Sequence, residues 1–250
     1  MCGIRGVILV LCALSLLTAQ VRTGVSAPPR TIVSVPFVGC DSDGQGGPLE
    51  RPEGTRQNVA VDTKAASRLA FYKAEAGLGV LAPRGWYCFG VYGSGGAGIY
   101  VSPRPIDRSV VFSQNWPDAR GPIIRLERHD GETSGRFGVA EIVARVFPAH
   151  KAFVDGVRTL FEQPEARYPS GPYPADKLRY KSNEVVEYQT PAKTEGMGTG
   201  FPLKPAELPV RGVAIFVEQD PSAGGPNAIL IICPASRRSG GTVVEYRSPG

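Results

Sequence analysis

Residues 228–233 read Ala-Ile-Leu-Ile-Ile-Cys, apolar at both odd and even positions. Successive side chains of a strand point to opposite faces, so a strand made from this run needs cover on both sides. Residues 86–92, Trp-Tyr-Cys-Phe-Gly-Val-Tyr, make the same demand. A sheet with helices packed on it follows.

Further strand signals, each bounded by Gly or Pro, lie at residues 31–37, 80–81, 85–92 and 99–102. Residues 123–128 continue the pattern up to the turn-forming Asp130-Gly131, and residues 184–189, 210–218, 228–233 and 242–246 space like an antiparallel meander. Residues 62–76 carry Ala65, Leu69, Tyr72 and Ala76 at helical spacing, with Asp62 placed to cap and Gly77 to terminate. A second helix is expected from about Arg136 with Val139, Ile142, Val143 and Val146 as its stripe. After Pro148 a third carries Phe153, Val157, Leu160 and Phe161. The four prolines of residues 164–174 predict an ordered irregular loop. The expected fold is α+β, a mainly antiparallel sheet with about three helices packed on it in a single domain. The 31 glycines and 23 prolines serve its many tight turns.

The amino end predicts export. Arg5 precedes an uncharged apolar stretch over residues 7–17, followed by polar Thr18, Gln20 and Arg22, the order of a cleavable signal peptide. The stretch is shorter than the roughly 20 apolar residues of a spanning helix, so no integral membrane anchor is expected. Small residues at the right spacing place the cut after Ser26 or Ala27, leaving residues 27–250 as one secreted or periplasmic domain. Lipidation at Cys40 lacks an adjoining hydrophobic region. Loss of Arg5 and Arg22 from 28 basic residues leaves 26 against 23 acidic ones, a net charge of +3. The basic residues are scattered, so nucleic acid is not an implied partner.

Cys40, Cys88 and Cys233 remain after the leader, and an oxidising compartment favours a disulfide. Three pairings are open. Cys233 closes a run that reads as buried strand, where a cysteine is usually a small hydrophobe, so the expected bridge is Cys40–Cys88. No Cys/His spacing suits a metal, and no cofactor is called for.

Chemistry is sparse. Residues 93–98 match Gly-x-Gly-x-x-Gly formally, but strand residues follow where the dinucleotide fingerprint needs a helix, so a hairpin loop is expected. Asp41-Ser42-Asp43-Gly44 resembles the start of a calcium loop without its remaining ligands and reads as a solvated turn. The densest polar group spans residues 128–136. In it His129, Asp130 and Ser134 are the candidate catalytic residues, and Thr133 or Ser134 is placed to cap the following helix. Arg136 in the first helical turn opposes the helix dipole and hints at a bound anion. Trp116, Tyr168 and Tyr173, in loop contexts, are candidate ligand-stacking residues. His150, the other histidine, lies beside an apolar stripe and reads as structural. No Gly-x-Ser-x-Gly elbow is present.

Gly39-Cys40 with Asp43-Gly44-Gln45, residues 82–86 (Ala-Pro-Arg-Gly-Trp) with Cys88, and residues 133–136 (Thr-Ser-Gly-Arg) together resemble the signature blocks of uncharacterised secreted bacterial proteins. That resemblance implies export and assigns no activity. Without a catalytic set, the expected function is a periplasmic or extracellular binding or interaction module, its partner a cell-envelope glycan, peptide or protein. The alternatives are a hydrolase of an envelope or polymeric substrate acting through His129, Asp130 and Ser134, and a structural envelope protein without a small ligand.

Overall fold

A computed structural model describes residues 31–113, 122–199, 208–218 and 228–236. The expected leader, Trp116 and the strand expected over residues 242–246 lie outside them. The described residues form twelve strands in two sheets, four α-helices and two 3₁₀ turns, a sheet-rich α+β arrangement.

In the four-stranded sheet the order is β3 (Arg56–Val61), β1 (Thr31–Cys40), β4 (Leu69–Ala74), β5 (Val80–Pro83). The larger sheet runs β2 (Ser42–Gly44), β6 (Tyr87–Gly93), β7 (Gly96–Ser102), β8 (Ile123–Asp130), β12 (Ala228–Ser236), β11 (Val210–Glu218), β10 (Val185–Thr190), β9 (Lys177–Tyr180). Strands β10, β11 and β12 pair antiparallel as the expected meander has them, and β9, which was not expected, extends it. Both sheets are nevertheless mixed where mainly antiparallel pairing was expected, because β1–β4 and β2–β6 run parallel.

The two-sided apolar run in β12 divides its side chains between two cores. Ile231, with Ile99, Val101 and Leu126, meets Cys40, Ala70, Tyr72, Ala74, Val80 and Ala82 of the smaller sheet. Leu230 and Ile232 face α3 (Arg136–Val146) and α4 (Lys151–Leu160), which bury Val139, Val143, Val146, Phe153 and Val157. Phe147 and Phe153 close on Phe216 of β11 at 5.8 and 5.4 Å between ring centroids. A third, smaller core joins Phe89, Tyr100 and Ile123 to Val111 of α2 (Arg108–Val111).

The expected helix over residues 62–76 is corrected. Asp62 does cap a helix, accepting from the Ala65 amide at 3.0 Å, but α1 (Thr63–Ala66) lasts one turn. Strand β4 follows, because Ala70, Tyr72 and Ala74 recur at period two and are all buried between the sheets. Tyr72 is wholly buried; its hydroxyl donates to the Pro83 carbonyl at 2.7 Å and accepts from the Trp86 amide at 3.1 Å. Phenol and backbone satisfy each other there, which a helix would not permit.

The Cys40–Cys88 disulfide is present, with Cα atoms 5.4 Å apart. It ties the end of β1 to β6 and so joins the two sheets. The loop it closes spans 48 positions, and the chain-entropy model gives ~4 kcal/mol for a loop of that length. The Gly-rich stretch is the β6–β7 hairpin, as expected. Gly96, at φ +138°, passes so close to the Arg128 carbonyl that a Cβ would collide with it. Asp43 departs from the solvated turn expected for residues 41–44: it is buried in β2, 2.9 Å from the Arg108 guanidinium.

Candidate functional site

Strand alternation decides which polar residues meet. On β8, Ile124 and Leu126 turn toward the smaller sheet, so Arg125, Glu127 and His129 turn together to the face that carries the helices. Tyr100 of β7 lies opposite Arg125 in register and shares that face. A polar ladder results. Glu127 Oε1 accepts from the Tyr100 hydroxyl at 3.2 Å and stands 3.6 Å from Arg125 Nε; its Oε2 lies 3.3 Å from His129 Nε2.

Burial is graded along the ladder. The side chains of Arg125, Glu127 and His129 are 6%, 16% and 30% exposed. Burial pushes the Glu127 carboxyl upward, but Arg125, His129 and the Tyr100 hydrogen bond outweigh it and hold the group below the usual carboxylate range. Burial, together with the negative charge of Glu127, pushes the Tyr100 phenol well above its ordinary value. At neutral pH Glu127 is therefore an anion and Tyr100 a neutral donor to it. His129, at the outer end, spends Nε2 on Glu127, and among the described residues no group is hydrogen-bonded to its Nδ1.

The candidate trio does not assemble into a triad. Asp130 turns to the opposite face of β8 from His129 and pairs with Arg128 at 2.7 Å. Ser134 Oγ shares a 2.9 Å hydrogen bond with Ser94 Oγ of the β6–β7 turn. The two turns are locked by the Asp130 amide donating to the Gly95 carbonyl at 3.0 Å, and Gly96 pairs with His129. Imidazole and hydroxyl pair thus occupy one corner of the sheet.

The cap expected at α3 is not made. Gly135 is the cap residue and offers no side chain; Thr133 Oγ1 donates to the Asp130 carbonyl and accepts from the Gly135 amide. Arg136 folds back on its own turn, giving Nε to the Thr133 carbonyl at 2.5 Å and a terminal nitrogen to the Glu132 carbonyl. Its guanidinium lies 4.6 Å over the Phe161 ring. Carbonyls and a ring face fill the role for which an anion was expected.

Nor are the loop tyrosines free platforms. Tyr168 is 5% exposed and belongs to the core under α3 and α4, while Tyr173 is covered by Arg145, 3.9 Å from its ring centroid. Half-exposed rings occur elsewhere. Phe112 borders a depression of about 600 Å³ with Asp107 and Arg108, and Tyr180 borders one of about 370 Å³ with Lys181, Ser182 and Asn183. His150 is bound to the scaffold, with Nδ1 3.1 Å from Glu218 Oε2 and its ring against Phe216 at 4.7 Å.

Sequence reasoning missed Glu127, Tyr100, Arg125 and Ser94. The signal was present as Arg-x-Glu-x-His over residues 125–129, a period-two polar stripe inside a segment already legible as a strand. Among the described residues no cluster of His, Cys, Asp and Glu is arranged to hold a metal ion, and no helix is long and apolar enough to cross a membrane. Comparison of the chain with protein-family models, curated proteins and solved structures returns no match.

Proposed function

We propose that the chain is an exported binding module of the cell envelope, with residues 27–250 as one domain, and that it takes a carboxylate-bearing envelope glycan or peptide at the corner formed by His129, Ser94 and Ser134. The ladder carries the reading. Burying an Arg-Glu-His row is costly, since apolar residues of similar volume would hold the core as well or better. What the row achieves is an imidazole oriented through Nε2, with an Nδ1 that no described residue engages and that a ligand can take. The neighbouring hydroxyl pair, one O–H of which is spent within the pair, adds a donor; Asp130 faces away, and the Glu127 carboxylate behind the imidazole is engaged by Arg125, Tyr100 and His129. The disulfide supports an oxidising compartment.

The test is a melting-temperature titration of the mature protein against muropeptides and envelope glycans. A ligand that binds the folded state alone raises the midpoint, and His129→Gln or Ser134→Ala is expected to abolish the rise. Failure of every such ligand to shift wild type overturns the reading.

A hydrolase remains the second reading because of the Glu127–His129 pair, since a carboxylate behind an imidazole is how a general base is oriented. Against it, Ser134 is hydrogen-bonded to Ser94 and not to His129. Turnover of an envelope polymer that is lost in His129→Gln would establish it.

A further inference from the structure

Among the described residues four strands end the two sheets, and three of them carry the devices that keep sheet edges from pairing. Strand β2 has three residues, β5 has four and ends in Pro83, and β9 has four with Lys177 and Arg179 among them. Strand β3 has a single charge, Arg56 at its first position, and none of the other devices. Its six residues contain no proline and no lysine, and all six pair with β1 in unbroken register from Thr31↔Val61 to Pro36↔Arg56.

The outward groups of β3 follow from its inner ladder. The Phe37 amide donates to the Thr55 carbonyl at 3.0 Å, and Pro36, which has no N–H, stands opposite Arg56. Alternation then turns the backbone of Gln57, Val59 and Val61 toward β1. Arg56, Asn58 and Ala60, all exposed, point theirs outward. Gln57 Nε2 covers the Asn58 carbonyl at 3.2 Å, an exposed contact that strand pairing displaces.

We propose that a second copy of this chain occupies this edge, β3 pairing antiparallel with β3 about a two-fold axis through Asn58. The charges fit that occupant. In this register Arg56, whose guanidinium in the single chain donates to Ser34 Oγ at 2.7 Å and to the Ser34 carbonyl in exposed contacts that pairing displaces, lies opposite the partner's Ala60 and diagonally beside the partner's Asp62, while no like charges face each other. Asp62 caps α1 through Oδ1, so Oδ2 is available to the incoming guanidinium. Apolar surface fits as well: Ile32 is 73% exposed and pairs with Ala60, on the face where the partner's Arg56 stem arrives. Residues 31–36 of β1 pair only with β3 among the described residues, β4 joining β1 from Phe37 onward, and pairing across the two-fold extends this two-stranded end of the sheet to four strands.

Sedimentation of the mature, oxidised chain over a wide concentration range tests this. Wild type is expected to dimerise with rising concentration, and the amides of Arg56, Asn58 and Ala60 to gain hydrogen-exchange protection in parallel. Asn58→Pro, tolerable at an edge, abolishes the dimer, and Asn58→Cys gives a disulfide-linked dimer on oxidation because the two-fold puts the pair about 5.5 Å apart at Cα. Should Asn58→Pro not fold, Ala60→Lys serves: it sets like charges opposite Arg56 twice and weakens the dimer roughly tenfold, and adding Arg56→Glu restores it. A wild type that stays monomeric overturns the proposal, as does a dimer that survives folded Asn58→Pro or is indifferent to Ala60→Lys.

Discussion

Glu127 and His129 stand two residues apart on one face of β8 with Oε2 and Nε2 3.3 Å apart, while Asp130, next in the chain, pairs with Arg128 on the other face. The carboxylate behind the imidazole is therefore Glu127. Three other charged or polar side chains lean on it, and its charge is part of the fold.

Glu127→Gln keeps the shape and removes that charge, leaving Arg125 and His129 facing a neutral amide. Breaking a buried pair by removing one partner costs about 3–5 kcal/mol, and isosteric Gln, which keeps some hydrogen bonding, is expected near the lower end. Urea unfolding at pH 7 measures it. A change within error of zero would show that the ladder does not hold the strand.

The same carboxylate predicts a pH dependence. Its folded pKa lies below the ordinary 4.5, so the unfolded chain binds the proton first as pH falls. The contribution is complete above the unfolded value and is lost as pH drops from about 4.5 through the folded pKa. The unfolding free energy of wild type should thus converge on that of Glu127→Gln in acid. Parallel profiles for the two proteins would assign the pH dependence elsewhere.

How much of this was legible from residues alone depended on what each pattern competed with. Strand β11 fell on its expected span, residues 210–218, and helices α3 and α4 bury the expected Val139, Val143, Phe153 and Val157, because long periodic runs have one reading. Leu69, Tyr72 and Ala76 fit helical spacing by coincidence, and the buried set Ala70, Tyr72 and Ala74 won because β1 and β5 lie ready on either side. At the candidate site, adjacency in the chain pointed to Asp130, whereas a strand brings together residues two apart. Tyr168 sits in a proline-rich loop, yet the loop folds back over α3 and buries it.

Tyr72→Phe tests the strand reading of β4. Removing the hydroxyl leaves the Pro83 carbonyl and the Trp86 amide without this partner beside a wholly buried ring. An unsatisfied buried group costs about 1–3 kcal/mol, and a loss in that range is expected by chemical denaturation. A neutral substitution would contradict the packing of β4 between the sheets.

Cys88→Ser opens the bridge between the sheets. Loss of a native disulfide from a secreted domain typically costs about 2–5 kcal/mol, and reduction of wild type should lower its melting point to nearly that of the variant. If reductant leaves wild type unchanged, the bridge is not formed in the folded protein.

A last prediction concerns the segment after β10. Thr190, fully buried, donates from Oγ1 to Asp176 Oδ1 at 2.7 Å and accepts there from the Gly198 amide at 2.9 Å, while Asp176 Oδ2 accepts from the Met197 amide at 2.8 Å. Two side chains thus hold two successive backbone amides against the sheet, and Gly196 approaches Asp176 too closely to carry a Cβ. Thr190→Val preserves shape but strands the Gly198 amide, and about 1–3 kcal/mol should be lost. Asp176→Ala should cost a similar amount. Because the two share a hydrogen bond, their effects should not add, and a double-mutant cycle should return a coupling of roughly 0.5–3 kcal/mol. Hydrogen exchange separates a local effect from a global one: Met197 and Gly198 should lose protection in either variant while the β11 amides keep theirs. Strict additivity of the two substitutions would show that the clasp does not act as a unit.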